Sequence, residues 1–309
     1  TNTNAANANF EDATFGGTDF TNADTTNANF AGTATKGLTR SQLEAAKNGM
    51  TNIILSNNDF AAAGWSFADA DLTNTKLERS TLTDVNFNNA TLANASLAGS
   101  SAANANFAST NLNGTSFANT NVANASFEDA TLSGTDFTNA DTTNANFSKT
   151  VDKGLTRSQL EAAKNGLTNI ILSNNDFATA GWSFDGANLT NTKLENSTLT
   201  GVDFNNATLV NASLTNSSAA NANFASANLD GTSFANADID SADFAGAVIT
   251  NANFTNARIK SVQLTSTKSY IDKNLSGVIF DGNNMRRFVL SDQNLTGASF
   301  VDANLSRTD

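Results

Sequence analysis

A large apolar residue recurs at every fifth position of this chain, with a small residue two places before it and polar residues between. Beginning at Ala105 the run reads Ala105-Asn106-Phe107, Thr110-Asn111-Leu112, Thr115-Ser116-Phe117, Thr120-Asn121-Val122 and Ala125-Ser126-Phe127. The same frame starts at Ala8-Asn9-Phe10 and is still running at Ala303-Asn304-Leu305. A fixed short period predicts a stacked, quasi-one-dimensional architecture in which each unit contacts only its neighbours. A second period of 20 lies over the first. Phe67, Phe87, Phe107, Phe127 and Phe147 form one column, and Phe184, Phe204, Phe224 and Phe244 another. Leu72, Leu92, Leu112 and Leu132 form the next column. Residue identity is kept at spacing 20 and changes at spacing five, which predicts four five-residue sides per coil. Coils should stack about 4.8 Å apart, the strand-pairing distance. The Phe and Leu columns are the predicted core, the small residue shares the narrow interior, and Asn, Asp, Ser and Gly serve the corners. Stacked corner asparagines are expected to form ladders.

This Ala/Thr-Asn/Asp-Phe/Leu frame resembles the pentapeptide-repeat family. The resemblance covers most of the chain and implies an all-β solenoid, a right-handed quadrilateral β-helix, here with short helical insertions. Thr25, Ala102, Thr142, Asp152 and Ala219 depart from the frame as weak centres.

The longest period is 117 residues. Phe10-Glu11-Asp12-Ala13-Thr14 recurs as Phe127-Glu128-Asp129-Ala130-Thr131, and Lys36-Gly37-Leu38-Thr39-Arg40 as Lys153-Gly154-Leu155-Thr156-Arg157. One continuous β-helix over residues 1–309 is expected, with internal units 10–126 and 127–243 and a shortened unit 244–309. Since 117 is not a multiple of five, each unit holds a defect. It is placed at Phe60–Phe67 and Phe177–Phe184, where Trp65 and Trp182 are expected to fill a bulge, with ligand stacking as the alternative. The frame also breaks near 38–50, 155–167 and 264–275. Thr39 followed by Gln42 is a capping box and Gly49 a stop signal, predicting a helix over about 40–48 with its twin ending at Gly166. Leu43, Met50, Leu160 and Leu167 should turn inward. Thr35 to Leu55 spans one coil length of 20, so the helix is expected to replace sides of a coil. Helices projecting from successive units are candidates for lateral association.

Composition narrows the chemistry. The 309 residues include no Cys, no His and no Pro. That excludes disulfides, Cys/His metal sites and His-based catalytic triads. No cofactor is expected, and no phosphate-binding glycine loop or nucleophile elbow is present. Charged residues make up 15% with formal net charge -12. Nucleic acid is therefore disfavoured, because a phosphate backbone needs Lys/Arg clusters and the longest basic run is Arg286-Arg287. No apolar run approaches a membrane span. Asp69/Asp71 and Asp238/Asp240/Asp243 are the nearest approach to a cation site, without a calcium-loop pattern.

The expected function is that of a non-enzymatic structural protein assembling head-to-tail with itself into an extracellular filament or surface layer, in a bacterial setting. Both ends lie mid-repeat, and uncovered coil edges invite stacking into a non-closing fibre. The candidate assembly residues are Thr1, Asn2, Phe10, Leu305, Thr308 and Asp309 on the coil edges, with Arg40, Glu44, Arg157 and Glu161 on the helices. The family resemblance implies an alternative, an acidic DNA mimic binding DNA gyrase. A regular Thr-bearing face binding ice or polysaccharide is a third expectation. The extracellular location rests on the polar, low-lysine, cysteine-free composition and on the missing methionine.

Overall fold

The computed structural model describes residues 2–309. The chain divides into two compact units, Thr1–Gly166 and Leu167–Asp309. Each is a right-handed quadrilateral β-helix, all-β apart from brief helical turns. In the first unit, parallel bridges join residues 20 apart, as in Asp71↔Thr91, Thr91↔Asn111 and Asn111↔Thr131. In the second they include Asn188↔Thr208 and Thr208↔Asn228.

The five-residue repeat follows from the fate of five backbone N–H groups, as the side ending at Thr110 shows. Asn106 N–H reaches back one coil to Val85 O (3.1 Å), while Phe107 N–H reaches forward to Ser126 O (2.7 Å). Ala108 N–H is taken by the Asn106 side chain (3.0 Å). Ser109 N–H goes forward to Glu128 O (2.9 Å), and Thr110 N–H closes a β-turn onto Phe107 O (3.2 Å). Every donor has a partner, as buried backbone requires. The residue before each centre is Asn, Asp or Ser so often because its side chain caps the N–H two places on. The third residue of each turn has φ near +57°, for example 58° at Asn104, 56° at Ser109 and 57° at Asn211. Asn tolerates this region better than most residues do.

The Phe columns fill the interior. In the first unit Phe67, Phe87, Phe107, Phe127 and Phe147 are wholly buried, with successive rings 4.8–5.2 Å apart and within 16° of parallel. In the second, Phe184, Phe204, Phe224 and Phe244 stack at 4.9–5.2 Å. Neighbouring columns meet edge-on, as at Phe107–Phe117 (5.2 Å, 84°), the two geometries aromatic quadrupoles favour. In the regular coils a Thr at the small position donates its hydroxyl to the centre carbonyl 23 residues earlier, as Thr110 does to Phe87 O and Thr115 to Leu92 O (2.8 and 2.7 Å). At the corners, Asn256, Asn236, Asn216 and Asn196 form a ladder of 3.1–3.3 Å hydrogen bonds.

The Trp defects sit between Phe60 and Phe67 and between Phe177 and Phe184. There the bridge spacing widens to 22, at Asp59↔Thr81 and Asp176↔Thr198. Trp65 is half-buried against Phe60 (5.1 Å) and Phe67 (5.6 Å), and Trp182 repeats this on Phe177 and Phe184.

The helices are shorter than the sequence suggests. α1 is Arg40–Glu44 and α2 Arg157–Glu161, each with the expected Thr/Gln capping box. α1 stops at Glu44 instead of running to 48 because the coil ladder recaptures the backbone: Asn22 N–H takes Ala45 O (2.9 Å) and Lys47 N–H takes Ala23 O (2.8 Å). The coil holding α1 is also longer than 20 residues. Asn29 bridges to Ile54, 25 positions on, so the helix adds a side's worth of chain to the coil. Leu43, Met50, Leu160 and Leu167 are buried. The third insertion begins ahead of 264 and contains two helices, α3 Ser261–Thr265 and α4 Lys268–Ile271.

The weak centres have individual solutions. Ala102 and Ala219 are buried without compensation by a larger side chain of their own. Thr25 and Thr142 are buried because each gives both its N–H and its hydroxyl to an Asn carbonyl after the helix, Asn48 and Asn165, with hydroxyl distances of 2.7 and 2.6 Å. Asp152 is not a centre at all. It is exposed in a 3-10 turn, Val151–Lys153, whose Val151 is the buried residue.

Candidate interaction surface

The side chains with chemistry to offer gather where the helical turns meet the coils. Each of the first two helices is preceded by a 3-10 turn, Ala34–Lys36 and Val151–Lys153, ending at a left-handed glycine. Gly37 has φ 87°, and a Cβ there would lie 2.6 Å from Phe15 O. The turn's lysine returns to the coil below: Lys36 pairs with Asp12 at 2.8 Å, and Lys153 with Asp129. The Lys153 ammonium holds the Asp129 carboxyl below the usual carboxylate range. The capping glutamines are anchored too. Gln42 donates to Thr18 O (2.8 Å), Gln159 to Leu132 O and Thr135 O, and Gln263 to Ile239 O and Ala242 O.

Buried asparagines underlie the first and third insertions, and Asn175 is a third of the same kind. Asn58, 3% exposed, accepts from Thr33 N–H and Ala34 N–H (both 2.7 Å) and donates to Phe30 O and Leu55 O. Asn175 donates to Leu172 O, and Asn283 accepts from Ile259 N–H while donating to Phe254 O and Phe280 O. Sequence reasoning passed over all three. Their signal is visible in retrospect, since each is a large polar residue in the slot two before the centre, where Ala, Thr or Ser is the rule.

Shallow grooves flank the helices. One of about 430 Å³ in the first unit lies between Ser133–Phe137 and α2. In the second unit a groove of about 500 Å³ is lined by Asn236, Asp238, Asp240, Asn256, Arg258 and Lys260. No 3-10 turn precedes α3, and Arg258 (φ 58°) takes the left-handed position that Gly37 and Gly154 hold elsewhere.

The acidic groups are committed to turns. Asp238 accepts from Asp240 N–H (3.0 Å), Asp243 from Ala245 N–H (2.8 Å), and Asp71 from Thr73 N–H and hydroxyl. Asp240 pairs with Lys260, which holds its carboxyl below the usual range. Asp69 accepts from Asn89. Among the described residues no three carboxylates are placed to hold a metal ion, and no helix is long and apolar enough to cross a membrane.

The sequence-predicted assembly residues fall in different places. Thr1 lies outside the described residues. Asn2 is an exposed left-handed corner. Phe10 is half-buried and stacks on Phe30 at 5.1 Å. Leu305 is 42% exposed. The Thr308 hydroxyl donates to Met285 O (2.8 Å), and Asp309 exchanges backbone bonds with Phe288 and Leu290. Arg40–Glu44 and Arg157–Glu161 are 2.6 Å pairs within their own helices, and Arg40 also donates to Ser66 O (2.8 Å). These helical charges thus pair on the surface of their own helices, with Glu44 and Glu161 exposed. The stretch Val85–Phe127 carries no charge, and among the described residues Thr alternates with Ala, Asn, Ser or Asp along the coil columns, as in Thr75, Ala95, Thr115 and in Thr81, Ser101, Asn121, Asp141.

A search among curated proteins found no significant relative. Among solved structures, HetL, a pentapeptide repeat protein involved in heterocyst differentiation regulation in the cyanobacterium Nostoc sp. strain PCC 7120, is similar. It is 21% identical over 84% of this chain and 87% of its own, with a TM-score of 0.26. Rfr23, a pentapeptide repeat protein of the cyanobacterium Cyanothece 51142, is 22% identical over 44% of this chain and 85% of its own, with a TM-score of 0.26. QnrB1, a plasmid-mediated fluoroquinolone resistance protein, is 14% identical over 74% of this chain and 91% of its own, with a TM-score of 0.23. The family model of a pentapeptide repeat region matches residues 80–156 and 187–269, and that of pentapeptide repeats (8 copies) matches 274–309. Taken with the five-residue hydrogen-bond cycle, these matches mean that the chain belongs to the pentapeptide-repeat family.

Proposed function

We propose that this protein is a non-enzymatic structural scaffold whose coils stack on those of further copies, giving an extracellular filament. The observation that carries this reading is the direction of the inter-coil hydrogen bonds. Each side sends two N–H groups forward, such as those of Phe107 and Ser109, and one back, that of Asn106. The forward rim of any coil is therefore the chemical complement of the rear rim of any other. An uncovered rim is a template for pairing, and translation without rotation to closure yields a fibre. Stacked rings at about 5 Å continue the same register in the interior. The extracellular setting rests on the Asn/Thr/Ser-rich, low-lysine composition.

The gyrase-binding alternative calls for a dense acidic face. Here carboxylates are divided between corners, such as Asp12 and Asp129, and bridged sides, such as Asp71, Asp136 and Asp238, and several of them, including Asp12, Glu128, Asp129 and Asp240, are paired with lysine. Negative-stain electron microscopy across a concentration series tests the proposal. Uniform fibres that lengthen with concentration are expected. Monodisperse particles at every concentration would overturn it, and a gyrase supercoiling assay would then decide the alternative.

A further inference from the structure

The acidic character of the chain is not uniform. Residues 1–257 carry 24 Asp/Glu against ten Lys/Arg, whereas residues 258–309 carry five against seven. Within the latter, Arg286, Arg287 and Arg307 are all exposed at one corner of the β-helix. Arg287 and Arg307 are one coil apart, Arg287 N–H bonding to Ser306 O (3.3 Å). Both sit at the left-handed turn position, with φ 65° and 64°.

The fold gives no reason for arginine there. At other corners this position is mostly Asn, Asp or Gly, which accept positive φ cheaply. Stacked asparagines bond to each other, but stacked guanidiniums about 4.8 Å apart repel. The two lysines at this position have acid partners, Lys149 with Glu128 and Lys273 with Asp292, whereas Arg79 and Arg258 stand there singly, without a second arginine one coil away. Among the described residues, Arg286, Arg287 and Arg307 make no ion pair. Beside them Val289 is 48% exposed on the adjoining side. Arginines are enriched among the residues that anchor interfaces.

The chain carries its own complement. Residues 1–35 hold Glu11, Asp12, Asp19 and Asp24 with no Lys or Arg, and of these acids Asp12 is already paired with Lys36. The Thr21 and Thr26 hydroxyls, and then their N–H groups, hydrogen-bond the Asp19 and Asp24 carboxyls and keep both below the usual range. We infer that the Arg286/Arg287/Arg307 corner docks a second copy of this chain through the acidic coil of residues 11–24, giving the proposed self-association its polarity. This rests on the assembly reading above. Charge pairs of this kind act chiefly on encounter and register, so the contact should be sensitive to salt.

The test is sedimentation of wild type and the R286E/R287E/R307E variant over a concentration series at low and high salt, with circular dichroism as a folding control. The expected result is a rise of roughly tenfold or more in the concentration for half-assembly, both for the variant and for wild type in 1 M salt. Mixing the variant with an E11K/D19K/D24K chain should restore assembly. If wild type does not assemble at all, the functional reading fails. If wild type assembles and the folded variant matches it, this inference alone fails. Loss of heparin binding by the variant, with self-assembly unchanged, would reassign the corner to a polyanionic partner and overturn it too.

Discussion

The regular coils between Phe67 and Phe147 and the helix-bearing coil between Asn29 and Ile54 belong to one unit but are held together differently. In the regular coils the sides repeat the same inter-coil bonds and the same turn, and one column repeats the same stacked ring, so stability is close to a sum of similar neighbour terms. In the helix-bearing coil the repeat distance is 25, and the backbone groups that fall out of register are met one at a time by particular side chains. Asn58 holds the start of the 3-10 turn, Asn48 holds Thr25, and Gln42 holds Thr18 O. Redundancy stabilises the first region and specificity the second.

The sharpest way to break the regular region is to empty one column. Phe107 is wholly buried between Phe87 and Phe127 and meets Phe117 edge-on. Phe107→Ala should cost about 3–5 kcal/mol, because stacked rings on both sides cannot collapse into the gap. Urea denaturation of the variant checks this, and a loss below about 1 kcal/mol would show that the column is not a principal source of stability. Ala102 shows that a small centre is tolerated where the stack was built around it, which is a different situation from truncation of a filled site.

In the helix-bearing coil the corresponding experiment is Asn58→Ala. It removes little volume but leaves the Thr33 and Ala34 N–H groups without their acceptor in a buried setting. The expected loss is about 2–3 kcal/mol. Hydrogen exchange should locate it: faster exchange over residues 33–44, with residues 87–127 unchanged. Uniform acceleration across the unit would mean that the two regions do not differ in the way described.

This contrast also sets what was legible in the sequence. The regular coils were readable residue by residue, because each position has one physical task and the task recurs dozens of times. Capping boxes at Thr39 and Thr156 were readable because they are local in sequence. The true length of α1 was not, since it is set by Lys47 N–H finding Ala23 O. Nor was the coil of 25 residues, which depends on where Ile54 returns to the ladder. Asn58 was hidden for a similar reason: its identity departs from the frame by one side chain, while its partners lie 24–28 residues away. For the interaction surface, the Arg286-Arg287 run was visible, but only the coil register brings Arg307 onto the same corner.

Acid should sharpen the comparison with the smallest effect. The carboxyls of Asp129, Asp136 and Asp141 are held below the usual range, by the Lys153 ammonium for Asp129, the Thr138 hydroxyl for Asp136 and the Thr143 hydroxyl for Asp141. A depressed folded-state value means that the unfolded chain binds protons first. The associated stability is fully present above the unfolded value of about 3.9 and is lost as pH falls through the lower folded values. All three groups are largely solvated, so the change is modest and is screened by salt. Its location is the discriminating feature. Lys153–Asp129 ties down the 3-10 turn ahead of α2, whereas residues 85–127 have no charge to titrate. Pepsin cleavage mapped by mass spectrometry from pH 4.5 to 2 should therefore accelerate at residues 150–162 relative to 85–127. A constant ratio across that range would show that the ion pair does not hold the turn, leaving the Gln159 bonds to Leu132 O and Thr135 O as its anchor.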